Sequence, residues 1–191
     1  MSIALEHISK TYNGAPVLAD LSLAFGEGSS TCIMGPSGYG KTTLLRILMG
    51  LTPPDSGRVT GMEDRKLAPV FQEDRLCENL SVGTNIRMAA RDKLPPADIE
   101  AILDRLGLHG SLHQPVRELS GGMKRRVTIA RALLSGGDTY IFDEPFKGLD
   151  EETRSEVMDL VREHTRDKTL IWVTHNYQEA AHMGSDVIHI Q

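Results

Sequence analysis

The sequence predicts an α/β fold: a core with a mostly parallel sheet, an N-terminal antiparallel β region and an inserted helical subdomain. Three observations support this prediction. Short β-branched or aromatic runs alternate with helical periods over most of the chain, which is typical of a parallel sheet covered by helices. Strand-like runs open the chain, and only helical signals occur from residue 78 to residue 134. At 191 residues, a single domain is expected.

The elements follow in chain order. Strand-like runs are ALEHI, LSLAF, TCIM, APVFQ, YIFDE, TLIWVTH and DVIHI, and helical spacing occurs in TTLLRILMGL and in residues 151–164. In the middle, PPADIEAILDRLGL has the spacing of an amphipathic helix. Prolines stand at its start, and Gly107 is suited to end it. The single domain 1–191 is therefore expected to divide into an α/β core, residues 1–77 and 135–191, and a helical subdomain, residues 78–134.

Composition and charge narrow the function classes. The chain has 21 Lys and Arg against 26 Asp and Glu. This excess of negative charge argues against a general electrostatic attraction to nucleic acid or anionic lipid. Any bound anion must therefore be held by a local group of residues. No apolar run reaches the ~20 residues that span a bilayer, and the N-terminus lacks a secretion leader, so a cytosolic location is expected. Cys32 and Cys77 lack the spacing of a zinc site or disulfide framework, and Cys32 is expected to be buried.

The run GPSGYGKTT matches the phosphate-loop pattern GxxxxGK[ST] between a predicted strand and a predicted helix. Its glycines allow backbone N–H groups to surround phosphate oxygens, and the helix N-terminus adds partial positive charge. Lys41 would neutralise the β- and γ-phosphates, and Thr42 would ligate Mg²⁺. The loop alone predicts an NTPase or a kinase. The predicted phosphate-binding residues are Gly35, Pro36, Ser37, Gly38, Tyr39, Gly40, Lys41, Thr42 and Thr43.

The run TYIFDEP supplies a second, acidic motif. Asp143 and Glu144 end a predicted buried strand at the sheet edge where such folds bind ligands. Asp143 is expected to hold Mg²⁺ through water. Glu144, pointing to the other side of the strand, is expected to activate the attacking water as general base. The alternative is a strand end followed by a helix-capping acid.

The run ELSGGMKRRVTIARAL places Ser120, Gly121 and Gly122 at the start of a long helix. This start is a second anion-binding helix terminus. The cations that follow are expected on the solvated side of the helix, with apolar residues facing inward. The cations are Lys124, Arg125, Arg126 and Arg131, and the inward residues are Val127, Ala130 and Leu134.

With these residues the chain resembles the ATP-binding subunits of ABC transporters over nearly its whole length. The family's motifs occur in order: GPSGYGKT as Walker A, Gln72 as the Q-loop, LSGGM as the signature, IFDE as Walker B, GLD ending at Asp150 as the D-loop, and His175 as the H-loop. Met123 stands where the family usually has Gln, and Lys147 where it often has a small residue. The segments EDRLCENLSVGTNI and DEPFKGLD look most like importer ATPases of the nitrate, sulfonate and taurine group, which often has Pro-Trp near Glu78.

The resemblance implies a Mg²⁺-dependent ATPase that works as a head-to-tail dimer, with each ATP between the phosphate loop of one subunit and the signature of the other. It implies that Gln72 senses Mg²⁺ and the γ-phosphate, and that His175 orients the attacking water. Ser120 and the Gly121 and Gly122 amides would bind the γ-phosphate across the interface. Asp150 would touch the partner's phosphate loop, and its role as N-cap of helix 151–164 is compatible with this.

Two tyrosines are assigned to the nucleotide region. Tyr12 falls where the family carries an aromatic residue that stacks on adenine; packing on the first hairpin is the alternative. The Tyr39 ring is expected to flank the nucleotide or the dimer seam.

The implied partners are a second ATP-binding subunit, in a homodimer, an integral membrane permease lying against residues 73–86, and a substrate-binding protein. No nucleic acid partner is expected. The chain would then lie on the cytoplasmic face of the cell membrane as a peripheral, cytoplasmic subunit, and the other subunits would select the substrate. Two other functions remain open: a soluble ABC-type ATPase acting on ribosomes or nucleic acid, and a small-molecule kinase, which leaves Ser120 and His175 unexplained.

Overall fold

The structure is a computed structural model that describes residues 2–190. Its strands are β1 (Ile3–Tyr12), β2 (Ala15–Phe25), β3 (Ser30–Met34), β4 (Ser56–Thr60), β5 (Leu67–Val70), β6 (Thr139–Asp143), β7 (Thr169–Val173) and β8 (Asp186–His189). Its helices are α1 (Lys41–Leu48), α2 (Val82–Arg87), α3 (Pro96–Arg105), α4 (Gly121–Leu133), α5 (Glu151–His164) and α6 (Tyr177–Met183), with a short 3₁₀ turn at Val116–Glu118.

The N-terminal strands form an antiparallel sheet in the order β2-β1-β4. Asn13 and Gly14, both with positive φ, make the two-residue turn between β1 and β2, as a tight hairpin requires. Strand β4 was not predicted, because SGRVT has little strand signal of its own. It is held by pairing with β1, and at Gly57 an added Cβ would lie 2.4 Å from the Glu6 carbonyl oxygen.

The second sheet has five parallel strands in the order β5-β6-β7-β3-β8. Every residue of β6 and β7 is buried, which explains why both read as continuous apolar runs. This arrangement confirms the predicted α/β class with an N-terminal antiparallel region. Because all five strands run the same way, the segments that follow β3, β5, β6 and β7 leave the sheet at one edge.

Two hydrophobic clusters cover the faces of the parallel sheet. One joins α1 and the antiparallel sheet to residues such as Ile141 and Ile171. The other joins the central helices and α5 to residues such as Tyr140, Phe142 and Trp172. The alternation of β6 side chains between these clusters fixes the strand between the two layers, and so fixes where its carboxyl end lies.

The segment between β5 and β6 contains α2, α3, the 3₁₀ turn and α4, joined by irregular stretches, with one isolated bridge between Ser81 and Pro115. Helix α3 begins at Pro96, and it ends as predicted at a glycine: Gly107 has φ 64, and the Leu108 amide donates to the Leu103 carbonyl at 2.8 Å. This is the Schellman end of a helix. Helix α4 packs on α2, α3 and α5 and also contacts β5, so the N-terminus that carries Ser120 is tied to the core.

Candidate active site

The phosphate loop connects β3 to α1, as its sequence predicts. Gly38 and Gly40 have φ of 87 and 78, and Gly40 caps α1 in the left-handed conformation. An added Cβ at Gly40 would lie 2.8 Å from the Val17 carbonyl oxygen, and one at Gly35 would lie 2.5 Å from the Ile190 carbonyl oxygen. Glycine is therefore required by the backbone conformation at Gly40 and by close approach of other backbone at both positions.

Lys41, the first residue of α1, is 9% exposed. Its Nζ donates to the Gly35 and Pro36 carbonyl oxygens, each at 2.7 Å. Within residues 2–190 no carboxylate pairs with it. The ammonium is therefore held over the loop by neutral groups, and its positive charge faces the space where an anion can bind.

Thr42 and Asp143 meet at the edge of the sheet, where the Thr42 hydroxyl donates to Asp143 Oδ2 at 2.7 Å. Asp143 is 6% exposed. Burial raises the pKa of its carboxyl group, and the Thr42 hydrogen bond opposes that shift. A hydroxyl and a buried carboxylate at one point are oxygen ligands of the kind that Mg²⁺ prefers, so these residues fit the predicted metal site.

Glu144 follows β6 directly but does not continue the strand. Its φ is 46, and its amide donates to the Val173 carbonyl at 3.0 Å. The prediction that Glu144 points to the other side of the strand from Asp143 is therefore wrong, because strand alternation stops at Asp143. Both carboxylates line the same cavity.

Two side chains that can carry a positive charge lie close to the Glu144 carboxylate. His175 Nδ1 lies 3.5 Å from Oε1, and Lys147 Nζ lies 3.2 Å from Oε2. Oε2 is buried and accepts no hydrogen bond from the described residues, so the Lys147 contact is an ion pair by distance alone. The His175 side chain is 71% exposed, which leaves it accessible from the side of a bound ligand.

A cavity of about 260 Å³ joins the phosphate loop to Gln72 after β5 and to the two carboxylates after β6. Pockets for whole small-molecule ligands usually measure about 300–1,000 Å³. The cavity is thus large enough for phosphate groups and small for an entire nucleotide. Its polar lining consists of Ser37, Lys41, Thr42, Thr43, Gln72, Asp143 and Glu144.

The structure does not bring the remaining predicted residues into this cavity. Ser120 is exposed at the N-terminus of α4, where its Oγ accepts from the Met123 amide at 3.3 Å, and Gly121 and Gly122 follow it in the helix. Tyr12 is 42% exposed at the end of β1, with Lys10 Nζ 5.6 Å from its ring centroid. Ser120 and Tyr12 are therefore both accessible to another molecule that contacts this subunit.

Tyr39 lies at the outer side of the phosphate loop and is 49% exposed. It lines a neighbouring cavity of about 460 Å³ together with Pro36, His175, Tyr177 and His189. The Tyr39 ring is therefore not part of the phosphate cavity.

Arg125 corrects the prediction that the cations of α4 lie on its solvated side. It is 4% exposed, and its guanidinium donates to the carbonyl oxygens of Asp143, Glu144, Pro145 and Phe71, at 2.6–2.9 Å. Burial lowers its pKa, and Asp74 at 3.3 Å opposes the shift. Helical periodicity missed this residue because it treats arginine as an outward side chain, whereas carbonyl groups beyond strand ends need donors. Arginine, with five N–H groups in a planar fork, suits that task better than lysine does.

A glycine loop between a strand and a helix, with Lys41 above it and a buried Asp143 bonded to Thr42, defines a P-loop nucleoside triphosphatase. Within this class, similarity to known families assigns the chain to a narrower group. The chain belongs to the ABC transporter family, which matches residues 18–147. It is thus an ABC-type ATPase, and the family predicted from the motifs is confirmed.

Known relatives cover most of the chain. It is 38% identical over 189 residues to an aliphatic sulfonates import ATP-binding protein of Burkholderia cenocepacia, across 94% of this chain and 70% of that protein. It is 38% identical over 202 residues to a thiamine import ATP-binding protein of Mesorhizobium japonicum, across 97% of this chain and 79% of that protein. The post-hydrolysis dimer of the ATP-binding cassette MJ0796, bound to ADP and phosphate, is 27% identical with a TM-score of 0.85, across 99% of this chain and 94% of that one.

No helix within residues 2–190 combines the length and the apolar composition that crossing a membrane requires.

Proposed function

We propose that this chain is the ATP-hydrolysing subunit of an ABC importer, which closes as a dimer over ATP and drives transport by membrane partner subunits. The observation that carries the proposal is the cavity that joins Lys41, Thr42, Gln72 and the two carboxylates, while Ser120 lies outside it. A complete ATP site on this geometry needs a second surface. The signature of another subunit is the surface that the family resemblance supplies.

Phosphate binding is assigned to the loop between β3 and α1. Lys41 moves its charge from the loop carbonyls onto the β- and γ-phosphates, while the loop amides and the N-terminus of α1 surround the remaining oxygens. Thr42, Gln72 and Asp143 would hold Mg²⁺, which would supply charge neutralisation at the phosphates. Tyr12 stacks on adenine, a contact that contributes roughly 1–3 kcal/mol in other sites.

Hydrolysis is assigned to Glu144 and His175. The Glu144 carboxylate takes a proton from the attacking water, a step for which general bases contribute about 10²–10⁴-fold in rate. His175, whose Nδ1 lies 3.5 Å from Glu144 Oε1, contacts the γ-phosphate and orients the water. Ser120 with the Gly121 and Gly122 amides binds that phosphate from the partner subunit.

A groove beside the Q-loop is the proposed docking surface for a cytoplasmic helix of the permease. It has a volume of about 320 Å³ and is lined by residues that include Phe71, Cys77 and Met88. Met88 is 64% exposed. The buried Asn85 fixes the neighbouring turn, since its amide donates to the Cys77 and Ser81 carbonyl oxygens and its Oδ1 accepts from the Cys77 amide. The chain would thus lie peripherally on the cytoplasmic face of the membrane.

The importer proposal is preferred to a ribosome- or nucleic-acid-linked ATPase because two relatives at 38% identity are import ATP-binding proteins, and because the net charge is -5. Those relatives are named for a sulfonate and for thiamine, so we assign no cargo. A substrate-binding protein and the permease would select it.

Glu144→Gln tests the ATPase mechanism. The variant should bind ATP but release no phosphate, because an amide cannot accept the water's proton, and ATP with Mg²⁺ should trap it as a dimer in sedimentation. Glu156→Gln changes an exposed carboxylate of α5 and should behave as wild type. Phosphate release that equals wild type, or a monomer at saturating ATP, would contradict the proposal.

The two cysteines offer a test of the docking surface. Burial raises the pKa of the Cys32 thiol to about 12, whereas Cys77 is exposed in the groove. A bulky maleimide should therefore modify Cys77 alone and abolish recovery of an integral membrane protein when the tagged chain is purified from membranes. A maleimide-treated Cys77→Ser variant should still recover it. Recovery of ribosomes in place of a membrane protein would favour the soluble alternative.

A further inference from the structure

The contact between Lys147 and Glu144 has no role in the mechanism given above. Lys147 Nζ lies 3.2 Å from Glu144 Oε2, which is shielded from solvent. Among residues 2–190 it is the cation that reaches this oxygen; His175 lies beside the other oxygen and is charged only if protonated. A buried carboxylate oxygen without a hydrogen bond is costly, so the ammonium compensates it.

A tight turn delivers the lysine to the carboxylate. The Lys147 amide donates to the Glu144 carbonyl oxygen at 3.3 Å, and Glu144 has φ 46. Phe146 anchors the turn, since it is 1% exposed and its ring centroid lies 5.7 Å from that of Trp172. The stem of Lys147 therefore starts from a fixed position.

The side chain of Lys147 is, by contrast, largely exposed to solvent. It is 60% exposed, and Glu144 is 17% exposed. Three residues later, Asp150 caps α5 by accepting from the Thr153 amide at 3.0 Å, so residues 147–149 form a short irregular link between the carboxylate and α5. The ammonium is therefore accessible from solvent, while the turn that carries it is anchored in the core.

We propose that Lys147 is a positioning residue that holds the Glu144 carboxylate in a resting state and must leave it before hydrolysis. The inference rests on the proposed role of Glu144 as general base. In that step a water O–H bond breaks and its proton passes to Glu144, while the water oxygen bonds to the γ-phosphorus and the bond from phosphorus to the leaving ADP oxygen breaks. An ammonium group 3.2 Å from Oε2 of the same carboxylate competes with the attacking water for a place beside it.

The test compares steady-state phosphate release by the purified full chain and its variants at saturating Mg²⁺-ATP. Wild type and Glu144→Gln are measured first, because turnover by Glu144→Gln at the wild-type rate would refute the proposed function itself. If Glu144 is essential, Lys147→Ser should raise kcat by about threefold or more while KM for ATP stays within about twofold. A kcat equal to or below that of wild type would overturn the inference. Lys93→Ser, at an exposed lysine between α2 and α3, is the matched control and should leave kcat unchanged.

A second measurement separates the ion pair from a structural role of Lys147 in the turn. Thermal unfolding is followed for wild type, Lys147→Ser, Glu144→Gln and the double variant. If the ion pair exists, Lys147→Ser shifts Tm in the wild-type background and has little effect in the Glu144→Gln background, because the pair is already broken there. Equal shifts in both backgrounds would mean that Lys147 acts on the turn alone, and would overturn the inference.

Discussion

The Thr42 hydroxyl donates a hydrogen bond of 2.7 Å to Asp143 Oδ2, which connects the phosphate loop to the acidic motif 101 residues further along the chain. The two strands that carry these motifs, β3 and β6, are not neighbours, because β7 lies between them in the sheet. The contact therefore depends on the parallel order of three strands and on α1 lying against β6. It sets the relative position of Thr42 and Asp143, two of the three predicted Mg²⁺ ligands.

Removing the Thr42 hydroxyl should weaken the response to Mg²⁺. Thr42→Val keeps the shape of the side chain but takes away a metal ligand and leaves the buried Asp143 without its donor. We expect the Mg²⁺ concentration for half-maximal hydrolysis to rise at least tenfold, and stability to fall by about 1–3 kcal/mol, the usual cost of an unpaired buried group. Activity titrations with Mg²⁺ and urea unfolding measure these effects.

Thr52→Val, at a half-buried threonine beyond α1, is the control for that experiment. An unchanged Mg²⁺ midpoint in Thr42→Val would show that the hydroxyl does not ligate the metal.

The phosphate loop should tolerate change at Tyr39 better than at Lys41. Lys41→Ala removes the ammonium held over the loop and should largely abolish hydrolysis. Tyr39→Ser removes an exposed ring outside the phosphate cavity and should alter ATP affinity only modestly. Fluorescent-nucleotide binding and phosphate release distinguish the two. A Tyr39→Ser protein as inactive as Lys41→Ala would refute this ranking.

Arg125 should be needed for both stability and turnover. Arg125→Met leaves carbonyl groups after β5 and β6 without donors, so we expect a loss of about 3–5 kcal/mol, as is typical when one partner of a buried charged network is removed. Turnover should fall further than the unfolded fraction explains, because Glu144 loses its backbone support. Urea unfolding and kcat are measured on the same preparation.

Arg131 provides the comparison for Arg125. It donates to the Asp74 and Arg75 carbonyl oxygens, on the Q-loop side only. Arg131→Met should therefore affect kcat less than Arg125→Met does. Equal loss of kcat in the two variants would indicate that contact with the segment after β6 has no special importance.

His164 should make stability depend on pH. Burial lowers its pKa, and nearby Lys168 lowers it further, while the hydrogen bond between its Nε2 and the Leu133 carbonyl at 2.9 Å opposes the shift. The unfolded chain therefore takes up a proton near pH 6.5, before the folded chain does. The contribution of His164 to stability is present above that pH and is lost as pH falls through the lowered folded-state pKa.

The check is urea unfolding between pH 7.5 and pH 5. His164→Gln keeps a polar group near Leu133 but does not titrate, so it should lose less stability than wild type over this interval. His113→Gln, at an exposed position, should follow the wild-type curve. A wild-type slope that His164→Gln leaves unchanged would remove this residue as the cause.

The sequence by itself determined the features that depend on local chemistry. Helix α5 runs from Glu151 to His164 as predicted, because Asp150 supplies its N-cap and the apolar period continues without interruption. The phosphate loop needs glycine for its backbone conformation, and the continuous apolar runs of β6 and β7 follow from burial on both faces. The family was likewise recognisable from six short motifs in order, and each motif is defined by neighbouring residues.

Only the tertiary structure decided which distant groups meet. Arg125 was predicted to face solvent, and it is buried because its acceptors are carbonyl groups at the ends of β5 and β6, which meet α4 only once the sheet is assembled. Strand β4 exists because β1 offers it a partner. Glu144 shares a cavity with Asp143 because its backbone leaves the strand. Lys147 and Glu144 are only three residues apart, and the tertiary structure contributes by anchoring the turn between them through Phe146 against Trp172.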